Sequence, residues 1–192
     1  MTRLLLSGIA AAATVLLLSG AGRAGAGDRA STSASRFTLA HALAFEDYPL
    51  YFAGDRAEGF PLVAVLRRVD TADFVSFVYG DCTAADHHGC APPIEIQVWP
   101  ACRRHLGLYR DNPSFAGSPP DRTTVRGVPA AVFDDGTRLE LQTGSATVVV
   151  FAESRARLGR VAGALRSLDA PASRGGALAA PVAGALEGEL DC

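Results

Sequence analysis

Four short strands follow one another at residues 123–126, 129–133, 137–141 and 146–151, and no other stretch restricts the fold as tightly. Asp135-Gly136 joins the second to the third, a dipeptide suited to the left-handed dihedrals of a type I′ hairpin turn. Thr143-Gly144-Ser145 joins the third to the fourth. Pro129 confines its strand to a sheet edge or to a strand beginning, because proline offers no N–H to a ladder. Val148, Val149, Val150 and Phe151 are continuously apolar, as in a strand covered on both faces. Ser154 then caps a helix. Leu158, Val161, Leu165 and Leu168 recur at spacings of three and four, one apolar stripe. Arg155, Arg157, Arg160 and Arg166 lie off that stripe and read as its solvated face.

The preceding sequence adds more strands. Residues 62–67 (LVAVLR) and 74–79 (FVSFVY) are β-branched and aromatic runs of strand length. Residues 94–99 (IEIQVW) alternate, with Ile94, Ile96 and Val98 on one face and Glu95, Gln97 and Trp99 on the other. The Ala/Leu-rich residues 36–45 read as a short helix, with a strand as the competing assignment, and residues 101–109 as another short helix. Residues 111–120 are a loop by composition. The expected class is α+β: a largely antiparallel sheet including a C-terminal four-strand meander packed against an amphipathic C-terminal helix, with one or two further short helices.

The N-terminus predicts the compartment. Arg3 precedes a run from Leu4 to Leu18 that is apolar apart from Ser7, Gly8 and Thr14, and Ala24-Gly25-Ala26 supplies small residues for cleavage. This is the plan of a secretory signal peptide over residues 1–26. A flexible leader follows at 27–35, a single domain at 36–169, and an Ala/Gly/Pro-rich tail at 170–192, in which Leu178, Val182, Leu186 and Leu190 offer a weak amphipathic turn for docking. Uncleaved, the first segment is the chain's one membrane anchor. Its removal takes Arg3 and Arg23 and no acidic residue, leaving 16 of the 18 basic residues against all 20 acidic ones. An acidic chain without a basic cluster is not a nucleic-acid binder, since that binding rests on neutralising phosphates. Lysine is absent and asparagine occurs once, so each arginine is weak evidence for guanidinium chemistry.

Chemistry-bearing side chains concentrate in Cys82, His87, His88, Cys90, Cys102 and His105. Zinc sites use ligand pairs two to four residues apart. Here the cysteines are eight and twelve apart, and the strand at 94–99 parts Cys90 from Cys102 by about 20 Å at the usual rise. The expectation is therefore no metal and no cofactor. An oxidising compartment favours disulfides. Cys82 and Cys90 flank one hairpin loop and are expected to pair across it. Cys102 then pairs with Cys192, tying the tail back to the fold, or stays free.

No catalytic residue is assigned, because no G-x-S-x-G, S-x-x-K, H-E-x-x-H or phosphate-binding glycine loop is present. The leading expectation is an exported, non-enzymatic binding or interaction module of the cell envelope or exterior. Its partner would be an unidentified extracytoplasmic ligand or protein. Tyr48, Tyr51, Phe52 and Trp99 are the candidate contacts, since aromatic rings anchor such surfaces. The competing reading makes these rings ordinary core. Two other functions are carried forward: a small secreted hydrolase or thiol enzyme using Cys102 and His105, and a weak metal binder through the His87–His88 loop.

Overall fold

The computed structural model describes residues 37–69, 72–81, 91–111, 120–169 and 176–192. The first elements are helix α1 (Leu39–Leu43) and strands β1 (Tyr51–Phe52), β2 (Arg56–Ala57), β3 (Phe60–Arg68), β4 (Phe74–Tyr79) and β5 (Ile94–Pro100). Helix α2 (Gly107–Asp111), β6 (Asp121–Val125), β7 (Val128–Phe133), β8 (Arg138–Thr143) and β9 (Ala146–Ala152) follow. Helix α3 (Arg155–Ala164) and β10 (Arg166–Ser167) come after them. The class is α+β, mostly antiparallel sheet with a few short helices. Among the described residues no helix is long and apolar enough to cross a membrane.

Eight strands form one sheet in the order β2-β3-β4-β5-β9-β8-β7-β6, and β1 pairs with β10 beside it. After β5 the chain leaves for the far edge at β6, then returns hairpin by hairpin until β9 pairs with β5. This puts β9 in the centre. Its Val148, Val149 and Val150 have no exposure at all, as their unbroken apolar run demands. In β5, Ile94, Ile96 and Val98 are fully buried while Glu95, Gln97 and Trp99 are partly exposed, the two-residue period of a pleated strand.

The sheet curls around α3. Arg155 bonds Asp121 on the edge strand β6, and Arg160 Nε donates to Glu58 Oε2 at 2.5 Å in the turn beside the opposite edge strand β2. The two arginines stand about 7.5 Å apart along the helix. A flat sheet of eight strands would part its edges by about 34 Å. Leu158, Val161 and Ala162 face the concave side and are buried. The helix is shorter than its apolar stripe: it stops at Ala164, and Leu165 turns into extended backbone leading to β10.

Several local expectations need correction. Helix α1 covers five residues rather than ten, fixed by Thr38, whose hydroxyl accepts from His41 N at 3.3 Å while its own N–H donates to His41 Nδ1 at 3.1 Å. Residues 101–104 are a turn closed on Pro100 O, and helix begins only at Gly107. The Asp135-Gly136 hairpin is not a two-residue turn. Its last pair is Phe133 with Arg138, and Asp134, Asp135 and Gly136 all have positive φ. Two tight turns went unforeseen: Glu58-Gly59 joins β2 to β3 and Arg126-Gly127 joins β6 to β7, each with positive φ at both residues, as a type I′ turn needs. Pro129 stands at the start of β7, before the ladder to β8 begins at Ala130.

Residues 176–192 of the Ala/Gly/Pro-rich C-terminal segment lie docked on the domain. Leu178 and Ala185 are buried. Gly144 N donates to Ala179 O at 3.3 Å, Val182 N to Gly144 O at 3.0 Å, and Gly107 N to Leu186 O at 2.9 Å. Cys102 and Cys192 form a disulfide-compatible pair with Cα atoms 5.8 Å apart.

Candidate functional site

The face of the sheet turned away from α3 carries the polar side chains. Strand register assembles them in cross-strand rows. One row runs Arg122, Ala131, Glu140, Val149, Gln97, Ser76 from β6 to β4. The next runs Phe133, Arg138, Phe151, Glu95, Val78. In β8 the sequence RLELQT alternates, so Leu139 and Leu141 enter the core and Arg138, Glu140 and Gln142 face the other way.

Glu140 is fully buried and sits at the centre of this face. Arg104 grips it with two bonds, Nε to Oε2 at 3.0 Å and Nη2 to Oε1 at 2.5 Å. Tyr109 donates its hydroxyl to Oε1 at 2.8 Å, and Arg138 Nη1 stands 3.6 Å away. Arg138 is balanced by Asp134 at 3.0 Å. Burial pulls Arg104 toward neutrality, but the hydrogen bond and charge of Glu140 more than offset it and raise its pKa. Burial, followed by the charge of Glu140, pushes Tyr109 up to about 12. Tyr109 is thus a neutral donor across the physiological range, and two arginines stand against two carboxylates beside it.

A second chain of polar contacts lies toward β4. Glu95 Oε1 accepts from Ser76 Oγ at 2.6 Å and Gln97 Nε2 at 3.0 Å, and Gln97 Oε1 accepts from Trp99 Nε1 at 3.1 Å. Trp99 stacks on Phe74 with centroids 4.3 Å apart, and the Arg104 guanidinium stands 5.1 Å from the Trp99 ring centre. Arg104 therefore bridges both networks. Its carbonyl accepts from Thr147, which fixes the turn that carries it.

Beside Tyr109 the surface opens into a cleft of about 210 Å³. Tyr109 and Phe133, with ring centroids 4.6 Å apart, form its floor. Leu106 and Leu186 wall it, and the exposed Arg122 and Glu187 stand at the rim. Leu186 and Glu187 come from the docked C-terminal segment.

The residues singled out in the sequence do not converge. Tyr48, Tyr51 and Phe52 are 7, 5 and 7% exposed and belong to the core beneath α3. Their rings are occupied there: Tyr48 meets Phe45 edge-on at 4.8 Å, Tyr51 Oη donates to Thr143 Oγ1 at 3.2 Å, and Phe52 lies 5.6 Å from Phe77. Trp99 is on the opposite face, so the four make no common surface. Cys102 sits against Cys192, and His105 Nδ1 is 3.1 Å from Leu186 O, so neither points at the other as a nucleophile and its base. Cys82, Cys90, His87 and His88 lie outside the described residues. Among the described residues no three His, Cys, Asp or Glu side chains gather to hold a metal ion.

Sequence reasoning missed Arg104, Tyr109 and Arg138. The available signal was Glu140 itself: a carboxylate on an inner strand of a sheet needs cationic partners once its face is covered. Neither the protein-family models, the curated proteins nor the solved structures offer a match to this chain.

Proposed function

We propose that the chain is an exported, disulfide-stapled, non-enzymatic binding module whose ligand enters the cleft between α2, β7 and the C-terminal segment. The observation that carries this reading is the cleft: an aromatic floor of Tyr109 and Phe133 with one cationic and one anionic side chain at its rim. Ligand sites are concave, mostly apolar, and carry a few placed polar groups. The volume suits one compact apolar or aromatic group. The rigid support is the C-terminal meander with its amphipathic helix, and the Glu140 cluster fixes Tyr109 from below. Export is supported by the signal-peptide pattern of residues 1–26 and by the disulfide-compatible Cys102–Cys192 pair, since such bonds persist where thiols are oxidised.

Two measurements test it. Fractionation of cells expressing the full chain, with intact mass of the recovered protein, should place it outside the cytoplasm without residues 1–26. Recovery from the cytoplasm at full mass overturns export. Titration of the labelled protein with benzoate and benzamide, followed by amide resonances, should move Leu106, Tyr109, Ala131, Phe133 and Leu186 selectively. Unmoved resonances at millimolar probe overturn the cleft as a ligand site.

A further inference from the structure

We infer that Cys102–Cys192 is an exchangeable disulfide that latches residues 186–192 as a flap forming one wall of the cleft. A dithiol reductant is the partner that opens it. The cleft half of this inference rests on the binding reading above; the exchange half does not.

The docked C-terminal segment is held unevenly. Residues 178–185 are secured by many groups: Leu178 N to Arg126 O at 3.2 Å, Thr143 Oγ1 to Ala179 O at 2.8 Å, Val182 N to Gly144 O at 3.0 Å, and Gln142 Nε2 to Ala185 O. Leu178 and Ala185 are buried as well. Beyond Ala185 no described residue of the segment is buried. Among the described residues, its hydrogen bonds to the rest of the protein are Gly188 N to Ala185 O at 3.4 Å, Glu189 N to Gly184 O at 2.9 Å, and those received by Leu186 O from Gly107 N at 2.9 Å and His105 Nδ1 at 3.1 Å. The disulfide is its one covalent tie among them. A segment with so few apolar contacts opens locally once its tether is cut.

The packing is close and shape-dependent. A Cβ on Gly188, whose φ is +74°, would fall 2.3 Å from His105 Nε2, and one on Gly107 would fall 2.5 Å from Leu186 O. The flap thus lies on glycine surfaces, where it buries little. The carbonyl of Leu186 requires His105 Nδ1 to carry a proton. The sensitivity lies in the sulfur bond.

Cys192 is exposed and Cys102 partly buried. Exposed disulfides are the exchangeable ones. A thiolate of the dithiol attacks Cys192 Sγ, the S–S bond breaks, and Cys102 leaves as the thiolate. The second thiol then attacks the mixed disulfide, oxidising the dithiol to its cyclic or paired disulfide and releasing Cys192. Two electrons pass to the protein, and two protons end on its two thiols.

Hydrogen exchange on the full mature chain tests this without any ligand. The Cys102→Ser/Cys192→Ser double variant isolates this bond from Cys82 and Cys90. Exchange at Gly107 and at residues 186–189 should rise by about tenfold or more, with β5, β8 and β9 as protected as in the oxidised parent. Mild dithiothreitol on the parent should reproduce the pattern. Unchanged protection at Gly107 and the flap overturns the latch, and so does loss of protection throughout the sheet. A bond that yields to dithiothreitol only in denaturant overturns exchangeability. If the flap opens while benzoate and benzamide leave the cleft resonances unmoved, the binding reading falls and the exchange stands.

Discussion

The two faces of the eight-stranded sheet are held by different physics, though the same strands supply both. Under α3 lie Phe77, Ile94, Ile96, Val98, Leu139, Leu141, Val148 and Val150, nearly all without exposure. Their stabilisation is burial of apolar area, which is non-directional. On the other face Ser76, Glu140, Gln142 and Thr147 are just as buried, but each has a hydrogen-bond partner. Hydrogen bonds are directional and costly to leave unmade. The apolar face therefore tolerates rearrangement, and the polar face specifies it: Arg104 fits only where Glu140, Trp99 and Thr147 meet.

The largest effect should come from separating the charges. Glu140→Ala leaves Arg104 and Arg138 facing a buried void, and chemical denaturation should show a loss of about 4 kcal/mol. Phe77→Ala on the apolar face should cost a similar amount, about 3–5 kcal/mol, through its cavity. The two losses differ in how they are recovered. The Arg104→Met/Glu140→Leu double variant should regain most of its stability, because an apolar pair needs no desolvated charge. Failure of the double variant to improve on Glu140→Ala would show that the polar face contributes stability as well as specificity.

Tyr109→Phe is the gentler probe of the same face. It removes one donor to Glu140 and keeps the ring on Phe133, so the expected loss near neutrality is about 1–2 kcal/mol. The pH dependence is more diagnostic. Tyr109 has its folded value raised from 10.0 to about 12. The folded state thus holds the proton more tightly. Its contribution is fully present below pH 10 and is lost as pH rises through 12. Denaturation midpoints should fall across that window, and Tyr109→Phe should remove about 2 kcal/mol of the fall. Tyr48 and Tyr79 are also raised, chiefly by burial, and their share of the slope should survive in the variant. An identical slope in parent and variant would place the Tyr109 hydroxyl in water.

What was legible in the sequence was whatever repeats with period two. Ile94, Ile96 and Val98 announced their face, while the unbroken run from Val148 to Val150 announced a strand covered on both faces. The turns were harder. Glu58-Gly59 and Arg126-Gly127 do the work usually given to Asn-Gly, in a chain with a single asparagine. The polar site was illegible because it spans 36 residues between Arg104 and Glu140. It depends on β9, not β6, being the neighbour of β5, and only tertiary pairing decides that. The aromatic density at Tyr48, Tyr51 and Phe52 says that rings are close, not which way they point. Trp99 is the instructive exception, since its alternation with Val98 already set it on the opposite face.

The smallest effect should appear where charges pair in water. Arg155 and Asp121 are 59 and 64% exposed, against 18 and 0% for Arg104 and Glu140. Both pairs join an arginine to a carboxylate across more than 30 residues of chain. In water the Coulomb attraction is screened and the two long side chains lose rotamer freedom to hold it. Arg155→Ala should therefore change stability by less than about 0.5 kcal/mol, and raising salt should erase even that. If it costs as much as Tyr109→Phe, the curl of the sheet is being held at its edge, by the bond from α3 to β6, and not by the apolar surface that Leu158 and Val161 bury beneath the helix.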